Sequence, residues 1–195
     1  MAAKASLASG GNAPQGSTKS RFSAALLRPA DPQGQTSWAF VLLPRAVSDT
    51  LPRRGRTTVK ASINGQAFQA MLEPDGKLSH WLKVEDALCQ AAGLHPGDSL
   101  TVEIAPLAKE PEPRLPADLE QALAAAPEAR RNWEATTTLA RVDWIHWIES
   151  AKQAKTRASR VESACDMLGA GKKRVCCFDP SGYYSKGLSA PKAAE

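Results

Sequence analysis

The sequence predicts an α+β chain: a small six-stranded β-barrel-like N-terminal domain followed by a small C-terminal helical domain. Three observations lead there. Short apolar runs separated by turn signals such as Asn64-Gly65, Asp75-Gly76 and Pro96-Gly97-Asp98 fill residues 21–105. A proline-rich stretch then interrupts the chain at 106–116. Beyond it, apolar residues recur at helical spacing over 117–178. Residues 1–20 are small, polar and glycine-rich and read as a disordered tail, and 179–195 read as a flexible one.

The elements follow in order. Phe22, Ala24 and Leu26 alternate with Ser23, Ala25 and Leu27, an opening strand that Pro29, Asp31, Pro32 and Gly34 break. Trp38 to Leu43 is a short apolar run ending at Pro44, too short for a helix and aromatic enough for a buried strand. Arg45 to Pro52 has room for one helical turn. Thr57, Val59, Ala61 and Ile63 alternate up to Asn64-Gly65, and Phe68, Ala70 and Leu72 alternate after it. Asn-Gly accepts the positive φ angles of a tight hairpin turn, whose twist matches paired strands. A fifth strand runs from Leu78 to Val84. Glu85 to Ala92 is a helix closed by Gly93, and Leu100, Val102 and Ile104 mark the last strand. Six short strands with one helix before the last suggest a closed or nearly closed barrel, which would bury its own edges.

Pro106, Pro111, Pro113 and Pro116, with alternating charges between them, make a semi-rigid linker. Asp118 to Ala126 is the first helix of the second domain, and Pro127 sits where a first helical residue loses nothing by lacking its N–H. Thr136, Thr137 or Thr138 can cap a helix from about Leu139 to Lys152. A last helix follows from about Thr156, with Val161, Ala164, Cys165 and Leu168 on one face. Trp133, Trp144 and Trp147, at helical spacing, are expected in the core and between the domains rather than as stacking platforms for bases.

Two stretches resemble known bacterial families. Phe22-Ser23-Ala24, Trp38 to Pro44, Arg54-Gly55, Ile63-Asn64-Gly65 and Gly93 to Val102 resemble a small barrel family known only as a domain of unknown function. The last piece also resembles the strand that follows Gly-Asp in swapped-hairpin barrels of the AbrB type. Leu115 to Leu119, Ala126 to Ala129, Trp133 and Trp147 to Val161 resemble the YdeI/OmpD-associated, or bacteriocin-protection, helical family. Ser150 stands where that pattern leads one to expect a second acidic or similar residue beside Glu149. The resemblance implies a bacterial, cytoplasmic protein tied by name to bacteriocin or envelope-stress tolerance. It supplies no catalytic residues and no cofactor.

The residues themselves offer little catalytic chemistry. His80, His95 and His146 form neither an HxH nor an HxxxH pair, and the four cysteines, Cys89, Cys165, Cys176 and Cys177, match no zinc spacing. Neither GxGxxG nor GxxxxGK[ST] occurs. No catalytic, cofactor or metal site is therefore expected, and no run of residues is long and apolar enough for membrane insertion. The net charge is +5, with most of the excess, +4, within residues 131–175. The strongest feature there is Lys152, Lys155, Thr156, Arg157 and Arg160, a candidate site for an anion or a partner. The alternative is a solvated face bridged to Glu149, Glu162 and Asp166.

These readings lead to a non-enzymatic binding or regulatory protein, whose partner is an unidentified protein or an anionic ligand. A nucleic-acid-binding regulator is one alternative, suggested by the basic helical domain. A small-ligand protein or enzyme using the interdomain cleft is another. The oligomeric state is not legible.

Overall fold

The structure, a computed structural model, describes residues 19–31 and 38–194. The tail expected over 1–20 lies outside the described residues except for Lys19 and Ser20, as does the break around Pro32 and Gly34. Six strands are present: β1 (Ser20–Ala25), β2 (Trp38–Leu42), β3 (Thr57–Ile63), β4 (Gln66–Pro74), β5 (His80–Glu85) and β6 (Ser99–Pro106). They form one antiparallel sheet in the order β1-β6-β3-β4-β5-β2. The sheet curls so that its two outer strands meet. Leu27, just past β1, exchanges both backbone hydrogen bonds with Phe40 of β2, at 2.9 and 2.8 Å. That pair closes the barrel-like wall and shields edges that would otherwise be open.

Alternation places the core. Val59, Ala61 and Ile63 of β3 face inward, as do Leu100, Val102 and Ile104 of β6 and Leu82 and Val84 of β5. The β3–β4 hairpin turns at Asn64 (φ 47°) and Gly65 (φ 89°), so the expected two-residue turn is present with both angles positive. One helical turn, α1 (Arg45–Ser48), follows β2, and α2 (Asp86–Ala92) ends at Gly93 in the left-handed conformation. Asp98 accepts the His95 amide at 2.7 Å, a turn role rather than a chemical one.

The second part holds α3 (Ala117–Ala125), α4 (Pro127–Glu134), α5 (Thr138–Glu149) and α6 (Ala154–Gly169). Pro127 opens α4 as expected, and the Thr137 hydroxyl caps α5 by accepting the Ala140 amide at 3.2 Å. Leu119, Leu123, Trp133, Trp144, Ile145, Ile148, Val161, Ala164 and Leu168 form its core. The tryptophans therefore pack, as their spacing predicts.

The proline-rich linker is held at both ends of its acidic pair. Glu110 accepts from the Thr58 backbone amide of β3 at 3.1 Å and from its hydroxyl. Glu112 takes a two-armed contact from Arg141 of α5, at 2.5 and 2.8 Å. The arginine holds the Glu112 carboxyl below its usual range, against the opposing effect of its partial burial.

The C-terminal stretch differs from the expected loose tail. Its amides and carbonyls run back onto the first domain: Ala30 N donates to Lys192 O and Ala194 N to Arg28 O, both at 2.8 Å. Its glycines and serines are turn chemistry. The Asp179 carboxylate accepts from the Ser181 amide (3.0 Å), the Ser181 hydroxyl (2.7 Å) and the Tyr184 amide (2.8 Å), winding a compact loop.

Candidate functional site

The predicted cluster sits at the corner between α5 and α6. The turn arrives earlier than its sequence suggests: α5 stops at Glu149, and α6 starts at Ala154 instead of at a Thr156 cap. Thr156 is thus in the first turn of α6, exposed, and caps nothing. Gln153 occupies the cap position, and its side chain makes no capping hydrogen bond. The first backbone bond of α6 runs from Arg157 N to Gln153 O at 3.0 Å. The amides of Ala154, Lys155 and Thr156 are left without helical acceptors, as in every helix start. No acidic residue lies in that first turn. Lys152 and Lys155 are both exposed and form no ion pair among the described residues.

The two arginines are committed elsewhere. Arg157 grips Asp118 of α3 with both arms, Nε at 2.7 Å and Nη2 at 3.0 Å. The Asp118 hydrogen bond raises Arg157 and, in return, holds the Asp118 carboxyl low. Arg160 donates to the Trp147 carbonyl and to Ser150 Oγ at 2.9 Å, and its guanidinium lies 5.4 Å from the centre of the Trp147 ring. It thereby ties the C-terminal end of α5, where cations are favoured, to the side of α6. Ser150, the departure from the resembled pattern, is its second acceptor. The expected bridges to Glu149, Glu162 and Asp166 are replaced by these contacts. Beside the corner lies an open cavity of about 320 Å³, lined by Asp118, Ala154, Arg157, Ala158, Val161 and Glu162.

A second polar cluster, which the sequence reading missed, joins the two domains. Arg56, entering β3, donates from Nε to Glu73 of β4 at 2.9 Å and from Nη1 to Glu149 of α5 at 2.6 Å. Arg53 reaches Asp143 of α5 at 2.5 Å. Burial works against the Arg56 charge, but Glu73 and Glu149 overcome it and raise its pKa. Burial raises Asp143 despite Arg53 beside it. His146 lies between them, with Nε2 3.8 Å from Glu73 and the Phe178 ring 5.3 Å away edge-on. Burial, then Arg56 and Arg53, push its pKa down to about 3, so the ring is neutral at pH 7 and forms no ion pair with Glu73. One signal for this cluster was legible. Asp143, His146 and Glu149 recur at three-residue steps on a helix otherwise buried on most sides.

His80 makes a pair that resembles a nucleophile and its base. Ser48 Oγ lies 2.5 Å from Nδ1, and Nε2 lies 3.0 Å from Gly55 O. Both side chains are enclosed, with Ser48 1% exposed and His80 0%. With its other nitrogen spent on Gly55, the ring clamps α1 to the start of β5. A second cavity, about 250 Å³, lies between α2 with its flank, including Cys89 and His95, and Trp38 at the start of β2. Each of these two cavities is lined by residues of one domain, and the arginine–carboxylate contacts of Arg53 and Arg56 run between the domains.

Residues 22–104 match the family model described as DUF1905, a domain of unknown function. Residues 112–171 match the model described as Bacteriocin-protection, YdeI or OmpD-Associated. The boundary between the two matches falls in the proline-rich linker. Among curated proteins, none matches the chain.

Proposed function

We propose that this chain, a DUF1905 domain joined to a YdeI/OmpD-associated helical domain, is a non-enzymatic binding protein. Its α5–α6 corner receives an anionic group, a phosphate or carboxylate, of its partner. One observation carries the reading. The start of α6 combines unpaired backbone amides and two exposed, unpaired lysines with no acid and no side-chain cap. The amides and the positive end of the helix dipole favour an anion, and Lys152 and Lys155 add charge at the same end. The Thr156 hydroxyl is a further donor in that turn. Arg157 and Arg160 act as positioning residues, one holding α6 to α3 and the other to α5.

Nucleic acid is the weaker partner. Arg53, Arg56, Arg141 and Arg157 are all matched to carboxylates inside the molecule and so are not free to contact phosphates. On this reading the protection in the family description is binding of a partner, and the setting is cytoplasmic.

Thermal unfolding with pyrophosphate tests the reading. A ligand that binds only the folded state adds about 1.4 kcal/mol of stability when its concentration is ten times Kd, and so raises the melting temperature. The wild type should gain stability and Lys152→Ala/Lys155→Ala should not. Equal gains in both proteins would remove the corner as the site.

A further inference from the structure

Gly171 (φ 80°) turns the chain at the end of α6, and Val175 then packs on the helical core. Three residues later Phe178 packs edge-on against His146, and Pro180 touches Gly55 of the first domain. Cys176 and Cys177 lie between these anchors, both exposed, with their Sγ atoms 3.3 Å apart. Successive side chains on extended backbone point to opposite sides. These two converge because Cys177 has φ 60°, a left-handed conformation that residues other than glycine and asparagine rarely adopt. Nothing in the fold or in the proposed corner uses the pair. The hydrogen bond with Cys176 raises the Cys177 thiol, and the charge of Lys172 opposes that rise.

We propose that Cys176 and Cys177 form a vicinal dithiol site that exchanges reversibly with small disulfides of the glutathione type. One cysteine thiolate attacks a sulfur of the small disulfide, and the departing thiolate leaves as the first reduced thiol. The second cysteine thiolate then attacks the protein sulfur of that mixed disulfide, and the second small thiol leaves. The protein loses two protons and two electrons, the small disulfide gains both, and a Cys176–Cys177 bond forms. Adjacent α-carbons are about 3.8 Å apart across a trans peptide, below the usual span of about 4.4–6.8 Å for a disulfide. The closed form is therefore strained, exposed and readily reopened, the profile of a labile rather than a structural bond. Lys172, Lys173 and Arg174 just upstream suit a carboxylate-bearing disulfide.

The test incubates the full chain in glutathione/glutathione-disulfide mixtures of rising potential, then denatures and alkylates in one quench. Mass spectrometry counts the remaining thiols. The expected result is a fall from the four cysteines of the sequence to two, both missing alkyl groups mapping to the 176–177 peptide, with no retained glutathione. Cys176→Ser and Cys177→Ser should each retain one glutathione instead, because no second thiol is there to release it. Adding dithiothreitol should restore all four thiols. Full alkylation throughout the series, or a retained adduct on the wild type, would overturn the proposal.

Discussion

Replacing Arg56 by Met tests whether the two domains act as one mechanical unit. The guanidinium is 15% exposed and faces Glu73 at 22% and Glu149 at 38%. Removing one member of a buried ion pair costs about 3–5 kcal/mol, because the carboxylate left behind has lost its counter-charge. Glu149 can turn to water, so its share falls to that of a surface pair, about 0.5 kcal/mol. Glu73, beneath the neutral His146, bears most of the loss. The net expectation is about 2–3 kcal/mol, or about 4–12 °C in melting temperature for a chain of this size. Urea unfolding followed by tryptophan fluorescence reads it, since Trp144 and Trp147 lie on the helix that carries Asp143, His146 and Glu149. Arg56→Met combined with Glu73→Gln should cost less than the sum of the two single changes. A loss under about 0.5 kcal/mol, the size of an ordinary surface change, would refute the argument that this contact locks the domains.

Three further outcomes follow from the same contacts. His146 has its folded pKa near 3, while an unfolded histidine titrates near 6.5, so the unfolded chain binds more protons between those values. Stability contributed by the neutral ring is full above about pH 6.5 and is lost as pH falls towards 3, by a few kcal/mol at most; His146→Gln should flatten that slope in denaturant midpoints. Gly76→Ala should cost about 1–3 kcal/mol, because φ is +71° there and the new Cβ meets the Leu188 carbonyl of the C-terminal stretch; an unchanged midpoint in urea would contradict that packing. Arg160→Lys keeps the charge but loses the planar fork against Trp147 and the Ser150 hydroxyl, and should cost about 1 kcal/mol, with a neutral result counting against the α5–α6 tie.

Local chemistry was legible where a turn or a period dictates it. Asn64-Gly65 announced its hairpin, Pro127 its helix start, and the alternation in β3 and β6 its inward face. The barrel's closure was expected from six short strands, but the pair that makes it was not, because Leu27 and Phe40 lie in separate runs and neither period names the other as its partner. The C-terminal stretch was misleading for a related reason. Glycine, serine and proline serve flexible tails and tight turns alike, and only the four hydrogen bonds that the Asp179 carboxylate accepts decide between them. At the candidate site the charge cluster was visible but not its division. Asp118 lies 39 residues before Arg157, so their pairing depends on how α3 packs against α6. The interdomain arginines were hidden in the same way, since Arg56 and Glu149 are 93 positions apart.

Residue-resolved amide spectroscopy during a phosphate-ester titration reads the binding claim directly. Shifts led by Ala154, Lys155 and Thr156 are expected, saturating together and abolished by neutralising Lys152 and Lys155. Signals that move at Lys172 to Arg174 instead, or nowhere, contradict it.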